Sequence, residues 1–131
     1  KGEHLSVDYR NKESKLVVLG ERNAEDPLYK WRKWTKINRK VEFPQILNEL
    51  KGDYEWINCE FIDNRLIEVH FRRNPDFRYG NNTAIPVWSG EKIEKFKNLT
   101  FMEDKDYLRE GFYVDERDSN PVKSSDSTNQ E

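Results

Sequence analysis

The chain is short of the residues that staple small proteins together. Its one cysteine among 131 residues, Cys59, excludes an internal disulfide and a thiolate zinc site, and it points to a reducing compartment, the cytoplasm. No apolar run exceeds a few residues, against the ~20 needed to cross a bilayer, so a helical membrane span is excluded. The opening residues, Lys1-Gly2-Glu3-His4, do not resemble a signal sequence. An excess of charge of one sign is missing as well. With 23 Lys and Arg against 25 Asp and Glu, the net charge is −2, and the whole chain has no field to draw in nucleic acid or an anionic membrane. Nor is there a Ser-His-Asp spacing, a Walker loop or a dinucleotide fingerprint, which leaves hydrolase, P-loop and Rossmann readings without support.

The residues that are present describe a wet but folded domain. Hydrophobic residues make up 34% and charged residues 37%, against roughly 45–50% and about 25% in an average domain, so the core is expected to be modest. Aromatics at 13%, four of them Trp, argue against disorder, because they supply the side chains that anchor a core. The length suits one domain, placed at residues 1–114. Residues 115–131 are polar apart from Pro121 and Val122 and are expected to form a disordered tail.

Leu5, Val7 and Tyr9 alternate with His4, Ser6 and Asp8, and a polar stretch separates them from the β-rich run 15–19, which predicts a hairpin. Residues 23–40 hold no period, are broken by Pro27, and interleave Tyr29, Trp31 and Trp34 with Lys and Arg: a long basic, aromatic loop. Phe43, Ile46, Leu47 and Leu50 fall at helical spacing behind Pro44 and before Gly52, which predicts a short amphipathic helix. Strands are expected at 54–62 and 66–72, an ordered Gly/Asn/Pro-rich loop over 75–90, and one or two short helices within 91–109. The expected fold class is α+β, an antiparallel sheet of two hairpins with the amphipathic helix packed on one face.

Side-chain parity decides where the second hairpin's charges point. Ile57, Cys59 and Phe61 share one face of its first strand, and Ile67, Val69 and Phe71 share one face of the next. Opposed residues of an antiparallel pair share a face, so the apolar sets meet only across a loop of odd length. A three-residue loop, Asp63-Asn64-Arg65, meets this condition and sets Glu60 opposite Glu68 and Asn58 opposite His70. Two carboxylates so placed repel unless something compensates, and a divalent cation would, Mg²⁺ being suited to one or two carboxylates with water and phosphate filling its shell. Two plainer readings stand beside this one: a solvated face, or neutralisation by Arg65, Arg72 and Arg73.

The stretch Asn58-Cys59-Glu60-Phe61-Ile62-Asp63-Asn64-Arg65-Leu66-Ile67-Glu68-Val69-His70-Phe71-Arg72 resembles the metal-binding hairpin of the ATP-grasp ligases, among them glutathione synthetase, carbamoyl phosphate synthetase and biotin carboxylase. The resemblance spans roughly residues 3–73 and implies the C-terminal half of that fold. It also implies Mg²⁺ and ATP as cofactors, and ATP-dependent joining of a small carboxylate to an amine through an acyl phosphate. Glu60 and Glu68 would be metal ligands bridging the nucleotide phosphates, with His70 as an altered third ligand in place of the family's Asn. Arg72, with Arg73, would stabilise charge on the transferring phosphoryl group, and Arg22 would face substrate or phosphates. The family's lysine-bearing strands and glycine-rich loop are not in this sequence, and the chain starts at Lys1, so a partial polypeptide of a larger enzyme, joined by an N-terminal half, is expected.

A non-catalytic module is the competing reading, either a virion or assembly component or a single-stranded nucleic-acid binder. Residues 29–40 combine cations with the stacking surfaces of Tyr29, Trp31 and Trp34. His4 reads as a surface strand residue and Cys59 as core.

Overall fold

The structure, a computed structural model, describes residues 2–92 and 96–115. Alternation in the first hairpin produces β1 (His4–Arg10) and β2 (Glu13–Glu21). They are joined by Asn11 and Lys12, whose φ angles of 53° and 64° are the left-handed values that a two-residue hairpin turn requires. The second hairpin pairs β4 (Ile57–Ile62) with β5 (Arg65–His70). Between the hairpins runs β3 (Lys33–Lys36), and after them come β6 (Thr83–Trp88), β7 (Leu99–Asp106) and β8 (Arg109–Asp115). Among the described residues all eight strands pair antiparallel in one sheet, in the order β5-β4-β1-β2-β3-β6-β8-β7.

This overturns the α+β expectation. The spacing of Phe43, Ile46, Leu47 and Leu50 is helical, yet the chain forms only a 3₁₀ turn at Gln45–Glu49, with Pro44 and Leu50 extended on either side. So short a segment cannot repay the cost of nucleating a helix unless packing helps, and here packing is divided. Phe43 and Leu47 reach the core, while Ile46 is 76% exposed. The helices expected within 91–109 are also corrected, because Leu99 and Phe101 alternate with Thr100 and Met102 in β7; residues 93–95 lie outside the described residues. The basic loop contains β3, and the expected loop over 75–90 contains β6. Pro86 is tolerated in β6 because it lies beyond the end of the β3 ladder, where β6 has only β8 as a neighbour.

The sheet carries a different core on each face. On one, Leu5, Val7, Tyr9, Val17, Cys59 and Phe61 are buried together, covered by Phe43, Leu47 and Val41 of the long connection between β3 and β4. On the other, Val18, Trp34, Ala84, Phe112 and Val114 are buried beneath Phe77, from the 3₁₀ turn Pro75–Phe77. That second face also carries the polar alternates of β1 and β4, and these build the site described below.

Asp115 ends β8, and the remainder of the expected tail, residues 116–131, lies outside the described residues. Burial alone would raise the Asp115 pKa, but the backbone N–H groups of Asn82, Thr83 and Asn81, donating at 2.9–3.0 Å, hold it below the ordinary 3.8. A lowered folded-state pKa contributes stability that is present above 3.8 and lost as pH falls through the folded value. Asp115→Asn is therefore expected to cost on the order of 1 kcal/mol at pH 7. The difference from the parent chain should close on acidification in urea melts run from pH 7 down to pH 2.

Candidate metal centre and its groove

β4 and β5 set the carboxylates. Glu60 pairs directly with Glu68 and Asn58 with His70, so both glutamates project to the same side of the sheet, as parity required. The loop differs from expectation. Asp63 and Asn64 alone form the turn, both at positive φ (51° and 69°), and Phe61 pairs with Leu66. The odd residue is supplied by a bulge at Ile67, which leaves the core face to Leu66 and stands 45% exposed.

β1 lies on the other side of β4, with Ser6 beside Glu60 and Asp8 beside Asn58. His4, on the same face, brings Nε2 to 3.0 Å from Glu60 Oε1. On the far side, His70 Nε2 lies 2.9 Å from Glu68 Oε1 and 3.8 Å from Glu60 Oε2. Two imidazoles thus flank two carboxylates, and either a protonated ring or a metal cation would offset the like-charge pair. His4 is held edge-on against Trp31, with ring centroids 4.4 Å apart. Gly20 makes this possible: a Cβ there would lie 2.7 Å from ring carbons of both Trp31 and Trp34.

One donor atom from each of Glu60, Glu68 and His70 lies within 4.8 Å of the others, close to the ~4.2 Å across a six-coordinate ion with ~2.1 Å bonds. The donor types, two carboxylates and an imidazole, suit a divalent cation. The imidazole moves the preference from Mg²⁺ toward Mn²⁺.

These residues form one wall of a groove of about 680 Å³. Arg22 and Arg72 line it, and so do Asp76 and Arg109 on the opposite side. Burial raises the Asp76 pKa above its ordinary value; its bond from Trp34 Nε1 and the positive charges of Arg109 and Arg72 oppose this, and Glu60 adds to it. Arg22 Nη2 donates to the carbonyls of Asp26 and Pro27, and its guanidinium lies over Trp31. Arg73 is not part of this groove. Its guanidinium sits over Trp56, with Nε 3.9 Å from Asp8 Oδ2.

The stacking surfaces of the basic loop are largely committed to the fold. Trp34 is 1% exposed, and Trp31 is half-buried with its carbonyl accepting from Trp88 Nε1. Three of the loop's six cations are ion-paired: Lys30 and Arg32 with Glu91, Arg32 also with Asp26, and Arg39 with Glu3. Cys59 is buried, and burial pushes its thiol pKa up to about 12, far from a nucleophile's range.

Sequence reasoning missed His4, Asp76 and Arg109. The pairing that brings His4 to Glu60 joins residues 56 apart, and alternation within one strand carries no signal of which other strand lies beside it. Comparisons with known protein families, with curated proteins and with solved structures find no match.

Proposed function

We propose that Glu60, Glu68 and His70 hold a divalent cation through which the chain engages the phosphates of ATP. In this reading the chain contributes the metal-bearing side of an ATP-dependent ligase that joins a small carboxylate to an amine. The observation that carries it is the direct pairing of Glu60 with Glu68 on one face of the sheet, with His70 beside both. Once bound, such an ion neutralises phosphate charge and orients the phosphoryl group. The chain's own residues do the rest. Arg72 and Arg22 supply fixed positive charge along the groove, the electrostatic contribution that phosphoryl transfer draws on. His4 holds Glu60 in place from behind, as the outer partners of metal-ligating carboxylates do. Arg73 lies away from this groove, over Trp56, and takes no part in phosphoryl transfer in this reading.

Thermal melts of the full chain with MgCl₂ or MnCl₂, each with and without ATP, test the reading. Metal plus ATP is expected to raise Tm, more with Mn²⁺ than with Mg²⁺; saturation at 100 times Kd adds about 2.7 kcal/mol. Glu68→Gln should abolish the rise, and because Glu68 is a half-exposed side chain the substitution leaves the fold intact. An unchanged Tm in the parent chain, or an equal rise in the variant, would favour a binding module without this chemistry.

A further inference from the structure

Two cations of the basic loop that make no ion pair among the described residues, Lys36 and Lys40, meet in a cavity that shares no lining residue with the metal groove. β3 pairs with residues 18–21 of β2 and no further. Where its ladder ends, the chain turns across the unpaired part of β2, with the Ile37 N–H donating to the Val17 carbonyl. The cavity opens there, with a volume of about 470 Å³. Lys36 lines it from β3, Arg39 and Lys40 from the connection that follows, and Lys15 from β2, where the pairing of Asp8 with Leu16 and of Tyr9 with Ser14 leaves it as the extra residue of a bulge. Among the described residues of the lining there are thus four cations and no carboxylate, in a chain whose net charge is −2.

Two of the four charges are already answered. Lys15 Nζ lies 3.0 Å from Glu13 Oε1, and Arg39 donates from both arms of its guanidinium to Glu3 at 2.9 and 3.2 Å. Lys36 and Lys40 are exposed, and although the charge of Lys40 is felt by Glu13, neither ammonium has a carboxylate within ion-pair distance among the described residues. Like charges gathered around one concave surface repel, and a bound anion offsets the repulsion. The donor types define that anion. An ammonium is a compact point charge with three N–H donors, suited to tetrahedral phosphate oxygens, whereas the planar fork that would favour a carboxylate is spent on Glu3. Ser14 Oγ accepts from the Val41 N–H at 3.3 Å and keeps its own O–H to donate. No aromatic ring is among the described lining residues, so none of them stacks on a base, and the volume suits a ligand of several phosphates rather than a single ion. We propose that this cavity binds a small polyphosphate, with its oxygens on Lys36, Lys40 and the Ser14 hydroxyl, and reads no base attached to it. No metal takes part, so the site stands apart from the metal reading and survives its failure.

Calorimetric titration of the full chain with sodium tripolyphosphate, in EDTA at low salt, tests this. One tripolyphosphate should bind per chain with Kd below ~1 mM, at least ~10-fold more tightly than sulfate, and the affinity should fall as salt is added because the contacts are exposed to solvent. Lys36→Gln/Lys40→Gln is expected to weaken binding at least ~10-fold, since two charge-assisted hydrogen bonds are lost. Both side chains are exposed, so this variant folds. Arg72→Gln, which alters the metal groove instead, should leave the affinity unchanged. Absence of binding at millimolar concentration, sulfate bound as tightly, equal affinity in the double variant, or an equal loss in Arg72→Gln would overturn the proposal. A single-stranded oligonucleotide bound more tightly than tripolyphosphate would overturn it too, in favour of a nucleic-acid surface.

Discussion

Trp34→Ala is expected to lower the free energy of unfolding by about 3–5 kcal/mol, the range for removing a large aromatic side chain from a packed core. Trp34 is the largest of the fully buried side chains. From β3, at the centre of the sheet, it packs with Val18, Ala84 and Phe112, and its Nε1 donates to Asp76 Oδ2 at 3.3 Å. Deleting it opens a cavity between the two hairpins on one side and β6 and β8 on the other, and leaves Asp76 without its donor. Domains of this size have only ~5–15 kcal/mol of stability in total. Urea denaturation should therefore show a midpoint reduced by about a fifth or more, and a loss under 1 kcal/mol would show that the face is loosely packed.

Asn58→Leu should produce the next largest loss, about 1.5–3 kcal/mol at pH 7, because its amide donates to both Ser6 Oγ (2.7 Å) and Asp8 Oδ1 (2.9 Å) inside the sheet. The loss depends on pH in a defined sense. Burial raises the Asp8 pKa above 3.8, while the bonds from Asn58 and Asn74 and the charges of Arg73 and Arg72 pull it back. A raised folded-state pKa means that the native chain holds the proton more tightly than the unfolded one. That contribution is complete below 3.8 and is lost as pH rises through the folded value. Removing the Asn58 amide lifts the folded value further, so the gap between variant and parent should widen from pH 3 to pH 7. A gap that stays constant would mean that Asp8 does not change protonation in this range.

The part of this fold that was legible came from local parity. Glu60 and Glu68 had to face each other once the apolar sets of β4 and β5 met across the hairpin, and they do. The loop length was not legible, because parity fixes only that one odd residue is needed. A three-residue turn and a two-residue turn with a bulge at Ile67 satisfy it equally. The 3₁₀ turn was not legible either, because periodicity over Phe43 to Leu50 records which side chains reach the core, not whether the backbone between them can close helical hydrogen bonds. β6 was hidden by Pro86 and the Asn- and Gly-rich residues before it, which normally mark loops. His4 and Asp76 joined the site through pairings and packing between distant segments, to which no short-range pattern is sensitive. Arg72 and Arg73 looked equivalent as neighbours in sequence, yet only Arg72 lines the groove.

The central claim is that the Glu60, Glu68 and His70 cluster takes up a divalent cation. Paramagnetic resonance of Mn²⁺ measures this directly, because the six-line spectrum of the free ion fades as it binds. Titrating the full chain without nucleotide is expected to remove one Mn²⁺ per chain from solution. The double variant Glu60→Gln/Glu68→Gln should leave the free-ion signal at full intensity. A signal undiminished by the parent chain, or diminished equally by the double variant, would contradict the account.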